Sequence, residues 1–205
     1  MCFLRHLSEA DAFETLAQAE PYLDRIHGVG LDSSELGHPP SKFANVFEAA
    51  RKKGLKLVAH AGEEGPPAYI WGAINALQVD RIDHGIRADE DPTLMQQLID
   101  TQLPLTVCPQ SNVRLCAVEK MADHNIMAML RAGVRVTVNS DDPSYFGGFL
   151  SDNYAGVAEH VGMSIAEAAA LARNSFTASF LAPEQQVPML DAVAQWLDTQ
   201  DTASA

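Results

Sequence analysis

The sequence alternates between short apolar segments typical of strands and longer amphipathic segments typical of helices, and this alternation restricts the fold most. Amphipathic segments run from Ser41 to Gly54, from Pro67 to Leu77 and from Pro92 to Thr101. Strands are expected within IHGVGLDSSE, LKLVAHAGEEG, DRIDHG, LPLTVCPQSN and VRVTVNSDDP. Repeated strand-then-helix units of this length predict an α/β protein with a parallel sheet covered by helices.

Polar side chains follow the apolar part of each of these strands. They are Asp32 and Glu35, His60 and Glu63, Asp83 and His84, Cys108 to Asn112, and Asp141 and Asp142. In a closed eight-stranded barrel all strand ends converge on one mouth. In an open doubly wound sheet only the strands beside the switch point share a crevice. Polar groups on every strand therefore favour the barrel, as a single domain over residues 1–205.

Charge and composition exclude several classes of partner. The 205 residues carry a formal net charge of −13, without a basic stripe, so nucleic acid is not expected to bind. No apolar run approaches the ~20 residues that span a bilayer, so no membrane partner is expected. Three cysteines without a C-x-x-C pair favour a reducing compartment, and we predict a cytoplasmic protein. The oligomeric state stays open.

Two histidines at strand ends are candidates for chemistry. His60 lies three residues before Glu63 on a turn, a spacing that differs from the helical zinc-protease motif. A lone histidine at a strand end is more often structural, but this spacing can bring a metal-binding nitrogen and a proton-handling carboxylate together. His84 either acts as an acid or base near neutral pH or is held by Asp83 or Asp80.

Asp141 is expected on the polar face of the last strand. It is in register with Arg135, Thr137 and Asn139. A buried carboxylate without compensation costs many kcal/mol, so a divalent cation is the natural partner. The alternative is that Asp141 caps the next helix, with Pro143 in its first turn.

The segment CPQSN, residues 108–112, has the composition of a turn. Cys108 lacks a C-x-x-C partner, so packing is favoured over catalysis. The P-C-x-x-C signature of the cytidine-type zinc deaminases is absent from this sequence.

In this order, HAGE, RIDHG, CPQSN and NSDDPSYFGG resemble the adenosine/adenine deaminase family of metal-dependent hydrolases. The form SDDPSYFGG is similar to the adenine deaminase branch, which acts on the free base, and ARNSF at Ala172 to Phe176 is also similar to the family. The resemblance covers essentially the whole chain. It implies a (β/α)8 barrel with one Zn²⁺ at the carboxyl mouth and a small-molecule purine substrate.

The resemblance also implies residue roles. His60 and Asp141 match zinc ligands, and Glu63 matches the proton donor to the purine ring. His84 matches the residue that helps activate the attacking water, and Asp142 matches a purine-binding group. The implied reaction is hydrolytic deamination of adenine to hypoxanthine and ammonia in purine salvage. Adenosine deaminase and a non-catalytic, truncated purine-binding fragment are the alternatives.

The sequence departs from the family at one motif. The family's first barrel strand carries a His-x-His pair that supplies two further zinc ligands, and no such pair occurs here. CFLRH at the start resembles the end of the third strand, so the chain is expected to be an incomplete barrel, about strands 4–8. Catalytic zinc sites usually have three or more protein ligands. We therefore expect the chain alone to bind zinc weakly and to deaminate poorly or not at all.

Overall fold

The structure is a computed structural model that describes residues 1–203, and strands alternate with helices along it. The strands are β1 (Cys2–Leu4), β2 (Gly28–Asp32), β3 (Lys56–Ala61), β4 (Arg81–His84), β5 (Leu105–Val107) and β6 (Val136–Val138). The α-helices are α1 (Glu9–Ala19), α2 (Ala44–Lys52), α3 (Pro67–Gly72), α4 (Pro92–Thr101), α5 (Pro109–Arg114), α6 (Ile126–Ala132), α7 (Pro143–Phe146), α8 (Leu150–Val161), α9 (Ile165–Thr177) and α10 (Pro183–Ala203). Each predicted strand segment contains one of these strands.

The chain forms two compact units, the first from Met1 to Leu105 and the second from Thr106 onward. In the first unit, β1 to β4 are parallel neighbours in chain order. The register pairs His60 with Asp83 and Leu4 with Asp32. The carboxyl ends of β2, β3 and β4 therefore place their polar residues along one edge of this sheet.

Apolar side chains of helix and strand build the core of the first unit. Helix α2 buries Val46, Phe47 and Ala50, as its helical spacing predicts. The ring of Phe3 in β1 meets that of Phe47 edge to face, with centroids 5.9 Å apart. Burial of each large apolar side chain contributes about 1.5–3 kcal/mol. Ser8 and Asp11 form the capping box that begins α1, and together these contacts fix the helices beside the strands.

In the second unit, β6 is buried along its whole length. The backbone N–H of Asn139 donates to the carbonyl of Val107, 2.9 Å away, which sets the end of β6 beside β5. Nδ2 of Asn174, in the ARNSF segment of α9, donates to the carbonyl of Val136 at 2.9 Å. This amide links α9 to β6, which gives the ARNSF segment a structural role.

The structure differs from the sequence-based expectation in three segments. CPQSN is wrong as a turn, because Pro109 begins helix α5; proline fits the first helical position, where its missing N–H has no partner to lose. Helix α8 was not predicted, and its sequence contains Gly156, a weak helix former. Helix α10 begins at Pro183 and contains Pro188, although proline inside a helix favours a break in it.

In the part of the chain that the structure describes, no helix combines the length and apolar character needed to cross a membrane.

Candidate active site

His60 is the centre of a polar cluster at the carboxyl ends of β2, β3 and β4. Its Nδ1 lies 3.2 Å from Oδ1 of Asp32, 3.8 Å from Oδ2 of Asp83 and 3.2 Å from the carbonyl oxygen of Leu31. Its ring centroid is 4.9 Å from that of His84. Because carboxylate and carbonyl oxygens surround Nδ1, the ring nitrogen that remains for an external ligand is Nε2.

The two histidines have opposite electrostatic environments. Burial favours the neutral form of His60, but the hydrogen bond with Asp32 and the charges of Asp83, Asp32 and Glu63 outweigh burial and raise its pKa to about 9. Burial, together with the neighbouring charge of His60, holds the pKa of His84 well below its ordinary value. Without a metal, the cluster therefore pairs a protonated His60 with a neutral His84 at neutral pH.

We expect the metal-free protein to lose stability as the pH rises from about 6.5 to about 9. Because the folded-state pKa of His60 is raised, its contribution to the free energy of unfolding is fully present below pH 6.5 and is lost as His60 deprotonates near pH 9. Urea unfolding with a chelator, over this pH range, measures the effect for wild type and His60→Gln. The control is His27→Gln, at an exposed histidine. Parallel pH dependences for wild type and His60→Gln would contradict the expectation.

Glu63 and His84 form the second element of the cluster. Oε1 of Glu63 lies 3.2 Å from Nδ1 of His84, and the two side chains are 11% and 2% exposed. His84 ends β4 with a φ of 65°, a left-handed conformation that is uncommon for non-glycine residues and concentrates at functional sites. A buried carboxyl in contact with a neutral imidazole is suited to proton transfer.

Asp141, in the second unit, is exposed rather than buried, so the expectation of a buried carboxylate is wrong. The strand ends at Val138, and the chain reaches Asp141 with a φ of 57°. Its Oδ2 accepts a hydrogen bond from Oγ of Ser111 at 2.7 Å, and its Oδ1 accepts from the backbone N–H of Asp142 at 2.9 Å. The Sγ of Cys108 lies within 4.8 Å of this carboxylate. The carboxylate is thus oriented by donors while solvent still reaches it.

Asp142 caps helix α7. Its Oδ1 accepts from the backbone N–H groups of Ser144 and Tyr145 at 3.0 and 3.2 Å, and Pro143 occupies the first turn. The helix cap considered for Asp141 is therefore made by its neighbour. The cap uses only one of the two carboxylate oxygens of Asp142.

Arg5 supports the cluster from the turn that follows β1, and no sequence pattern indicates this role. Its side chain is fully buried. Its Nη1 donates to the carbonyl of His60 at 2.7 Å, and its Nε and Nη2 donate to the carbonyl of His38 at 2.9 and 2.7 Å. Arg5 thus fixes the backbone at the end of β3, where His60 lies.

The sequence matches known proteins over most of its length. Residues 1–196 match the family model described as Adenosine deaminase. An adenine deaminase of Hahella chejuensis is 58% identical over 197 residues, which are 96% of this chain and 59% of the relative. An adenine deaminase of Acinetobacter baylyi is 58% identical over 195 residues, 95% of this chain and 59% of the relative. The chain therefore spans about 59% of the length of these curated relatives.

Solved structures of related enzymes also match this chain over most of its length. The crystal structure of an adenine deaminase from Arthrobacter aurescens matches with a TM-score of 0.94 and 49% identity, over 96% of this chain and 60% of that one. An amidohydrolase from Burkholderia ambifaria, with bound Zn, matches with a TM-score of 0.91 and 25% identity, over 99% of this chain and 57% of that one. These matches confirm the predicted fold class, a (β/α)8 barrel of the metal-dependent hydrolase type, of which the chain spans a part.

Proposed function

Because this chain belongs to the adenosine deaminase family, we propose that its site serves the zinc-dependent hydrolytic deamination of adenine to hypoxanthine and ammonia. The observation that carries the proposal is the buried contact between Glu63 and the neutral His84, next to His60. This contact joins a proton donor and a proton acceptor beside a nitrogen able to bind a metal. Relatives that are 58% identical to the chain are named adenine deaminases, which supports adenine as the substrate.

The residues present fit a zinc ion in their donor chemistry. Imidazole nitrogen and carboxylate oxygen are both zinc ligands. A metal-binding histidine normally has its second ring nitrogen at a carbonyl or carboxylate, as Nδ1 of His60 does with Leu31 and Asp32. His60 and Asp141 would hold the ion, and the family resemblance adds ligands from a His-x-His pair that this sequence lacks. Zinc in such a site supplies Lewis acidity, which makes water a nucleophile near neutral pH.

The remaining residues would manage the protons and the purine. Glu63 would protonate the ring nitrogen next to the carbon that bears the amino group, and this breaks the aromaticity of the ring. His84, as a neutral imidazole, would accept the proton of the attacking water. Asp142 would share a proton with another purine nitrogen through the carboxylate oxygen that the helix cap does not use. Ammonia then leaves from the same carbon.

The proposal is tested by parallel assays of adenine, adenosine and N6-substituted adenines. The chain is supplied with zinc and assayed alone, and also co-expressed with a polypeptide equivalent to the remainder of the Hahella relative. Hypoxanthine and ammonia formed from adenine in a zinc-loaded preparation are the expected result. Faster turnover of adenosine would favour the adenosine deaminase alternative. Purine binding without ammonia in either preparation would favour the non-catalytic fragment.

Asp142→Asn is expected to raise the KM for adenine by about tenfold or more, because the proposed charged hydrogen-bond partner of the purine is replaced by a neutral one. Asparagine is as good a helix cap as aspartate, so the hydrogen bonds to Ser144 and Tyr145 are retained and α7 stays in place. The measurement is steady-state kinetics beside thermal unfolding. The comparison variant Asp142→Ala removes both functions and should lower the melting temperature as well. An unchanged KM in Asp142→Asn would remove Asp142 from the purine site.

A further inference from the structure

Glu35 is a buried carboxylate that binds the backbone of the turn after β3. It is 3% exposed. Its Oε1 accepts from the N–H of Gly62 at 2.6 Å, and its Oε2 accepts from the N–H groups of Glu63 and Glu64 at 3.0 and 2.8 Å. Successive N–H groups that converge in this way form an anion-binding concavity. Here the anion is a side chain of the protein itself.

A buried cation completes the arrangement. Burial lowers the pKa of Arg5, and the charge of Glu35 is near enough to oppose that effect. Arg5 holds the carbonyl of His60, and Glu35 holds the three amides that begin two residues later. Two opposite buried charges thus fix the backbone from the end of β3 through the turn. Hydrogen bonds to charged groups are about twice as strong as neutral ones.

Further contacts close the turn from its outer side. The N–H of Arg87 donates to the carbonyl of Gly62 at 3.0 Å, and Nη1 of Arg87 donates to the carbonyl of Glu64 at 2.8 Å. A Cβ at Gly65 would lie 2.6 Å from Oε1 of Glu35, so the chain passes the carboxylate with no room for a larger residue. The backbone on both sides of Glu63, the central residue of the turn, is thus held by Glu35 and Arg87.

We propose that Glu35 is a positioning residue, which holds the Gly62–Glu64 turn so that the carboxyl group of Glu63 meets His84 in a geometry fit for proton transfer. The inference rests on the proposed function of Glu63. A displacement of a reacting group by 1 Å can cost about 100-fold in rate. Loss of the Glu35 carboxylate therefore reaches the chemistry through Glu63, whose backbone N–H donates to it.

The test is Glu35→Gln, in which an NH₂ group must face backbone donors, so at least one of the three hydrogen bonds is lost. We expect kcat for adenine to fall by about 10- to 100-fold with KM nearly unchanged. In a Glu63→Gln background the same change should cost no further activity, because Glu35 acts through Glu63. An equal loss with and without Glu63 would overturn the proposal.

Glu9→Gln is the matched control. Glu9 also accepts hydrogen bonds from two successive backbone N–H groups, those of Asn45 and Val46, at 2.8 and 3.0 Å. Glu9 begins α1 and its carboxylate binds amides in the first turn of α2, and we expect its replacement to leave kcat unchanged. Gly65→Ala is the second variant, because its Cβ would lie 2.6 Å from Oε1 of Glu35 and 2.5 Å from Cδ2 of Tyr69 and would displace the Glu35 carboxylate without removing it. Should Glu35→Gln fail to fold, Gly65→Ala must show the same loss of kcat, and normal kcat there would overturn the proposal.

Backbone NMR separates this inference from the proposed function. In Glu35→Gln, the amide protons of Gly62, Glu63 and Glu64 should shift upfield and exchange faster with solvent, whereas Glu9→Gln leaves them unchanged. Should neither the zinc-supplied chain nor its co-expressed preparation deaminate adenine, the proposed function falls, and these signals still decide whether Glu35 fixes the turn. Unchanged amide signals in Glu35→Gln would overturn the positioning role.

Discussion

Replacement of Glu63 by glutamine is expected to reduce ammonia release from adenine by about 10²- to 10⁴-fold, the range that general acid–base catalysis contributes. Glutamine keeps the size and polarity of the side chain but has no carboxyl proton to give to the purine ring. Since the side chain of Glu63 is only 11% exposed and contacts His84, solvent water is poorly placed to substitute for it. The effect should appear in kcat more than in KM.

The adjacent glutamate provides the control for this prediction. Glu64 is exposed, and Glu64→Gln changes the same chemical group one residue away, with the same effect on net charge. We expect it to keep wild-type activity. Zinc content and the unfolding midpoint, measured for both variants, show whether the site and fold survive. Substantial activity in Glu63→Gln with normal zinc content would assign proton donation to another residue.

Arg5→Ala is expected to lower the free energy of unfolding by about 3–5 kcal/mol, since breaking a buried charge arrangement by removal of one partner has a cost of this size. The variant leaves the carbonyls of His38 and His60 without their buried donor. It also leaves the carboxylate of Glu35 beside a vacated space in the core. Urea unfolding at neutral pH measures the change.

Two comparison variants define the cause of this loss. Arg25 is exposed, and Arg25→Ala should change the free energy of unfolding by less than about 0.5 kcal/mol. Arg5→Lys keeps the charge but lacks the planar fork that reaches two carbonyls, so it should recover only part of the stability. Full recovery in Arg5→Lys would show that charge alone matters and that the two-carbonyl geometry does not.

Short periodic patterns of apolar residues allowed the strands and the helices α2, α3 and α4 to be predicted. Helix α4 occupies the predicted Pro92–Thr101, because Asp91 caps it and its apolar spacing is regular. The strand ends were located by the change from apolar to polar residues, which placed His60, Asp83 and His84 on neighbouring strands. Their contacts follow from the parallel register alone. The family resemblance supplied the roles, which remain predictions for each site residue.

Features that depend on three-dimensional contacts escaped prediction. Asp141 reads as a strand residue, but the chain turns through a left-handed conformation there and exposes its carboxylate. Asp142 rather than Asp141 forms the helix cap. A capping pattern in the sequence does not distinguish between two adjacent aspartates. Glu35 is one of the polar residues that follow the strands and Arg5 lies within CFLRH, but no pattern indicates the partners of either side chain. Their importance comes from partners that are far away in the sequence.

The large sequence separation between Arg5, Glu35 and their partners has a consequence for how the site is assembled during folding. Arg5 reaches His38 across 33 residues and His60 across 55, while Glu35 reaches Gly62 across 27. Contacts of such high sequence separation form late, after the loops between them have closed. The turn that carries Glu63 is thus a product of the docking of β1, β2 and β3 rather than of local sequence. The backbone amide of Glu63 should therefore exchange with solvent only when the first unit unfolds cooperatively. A partly folded form of the protein would then not present the proton donor.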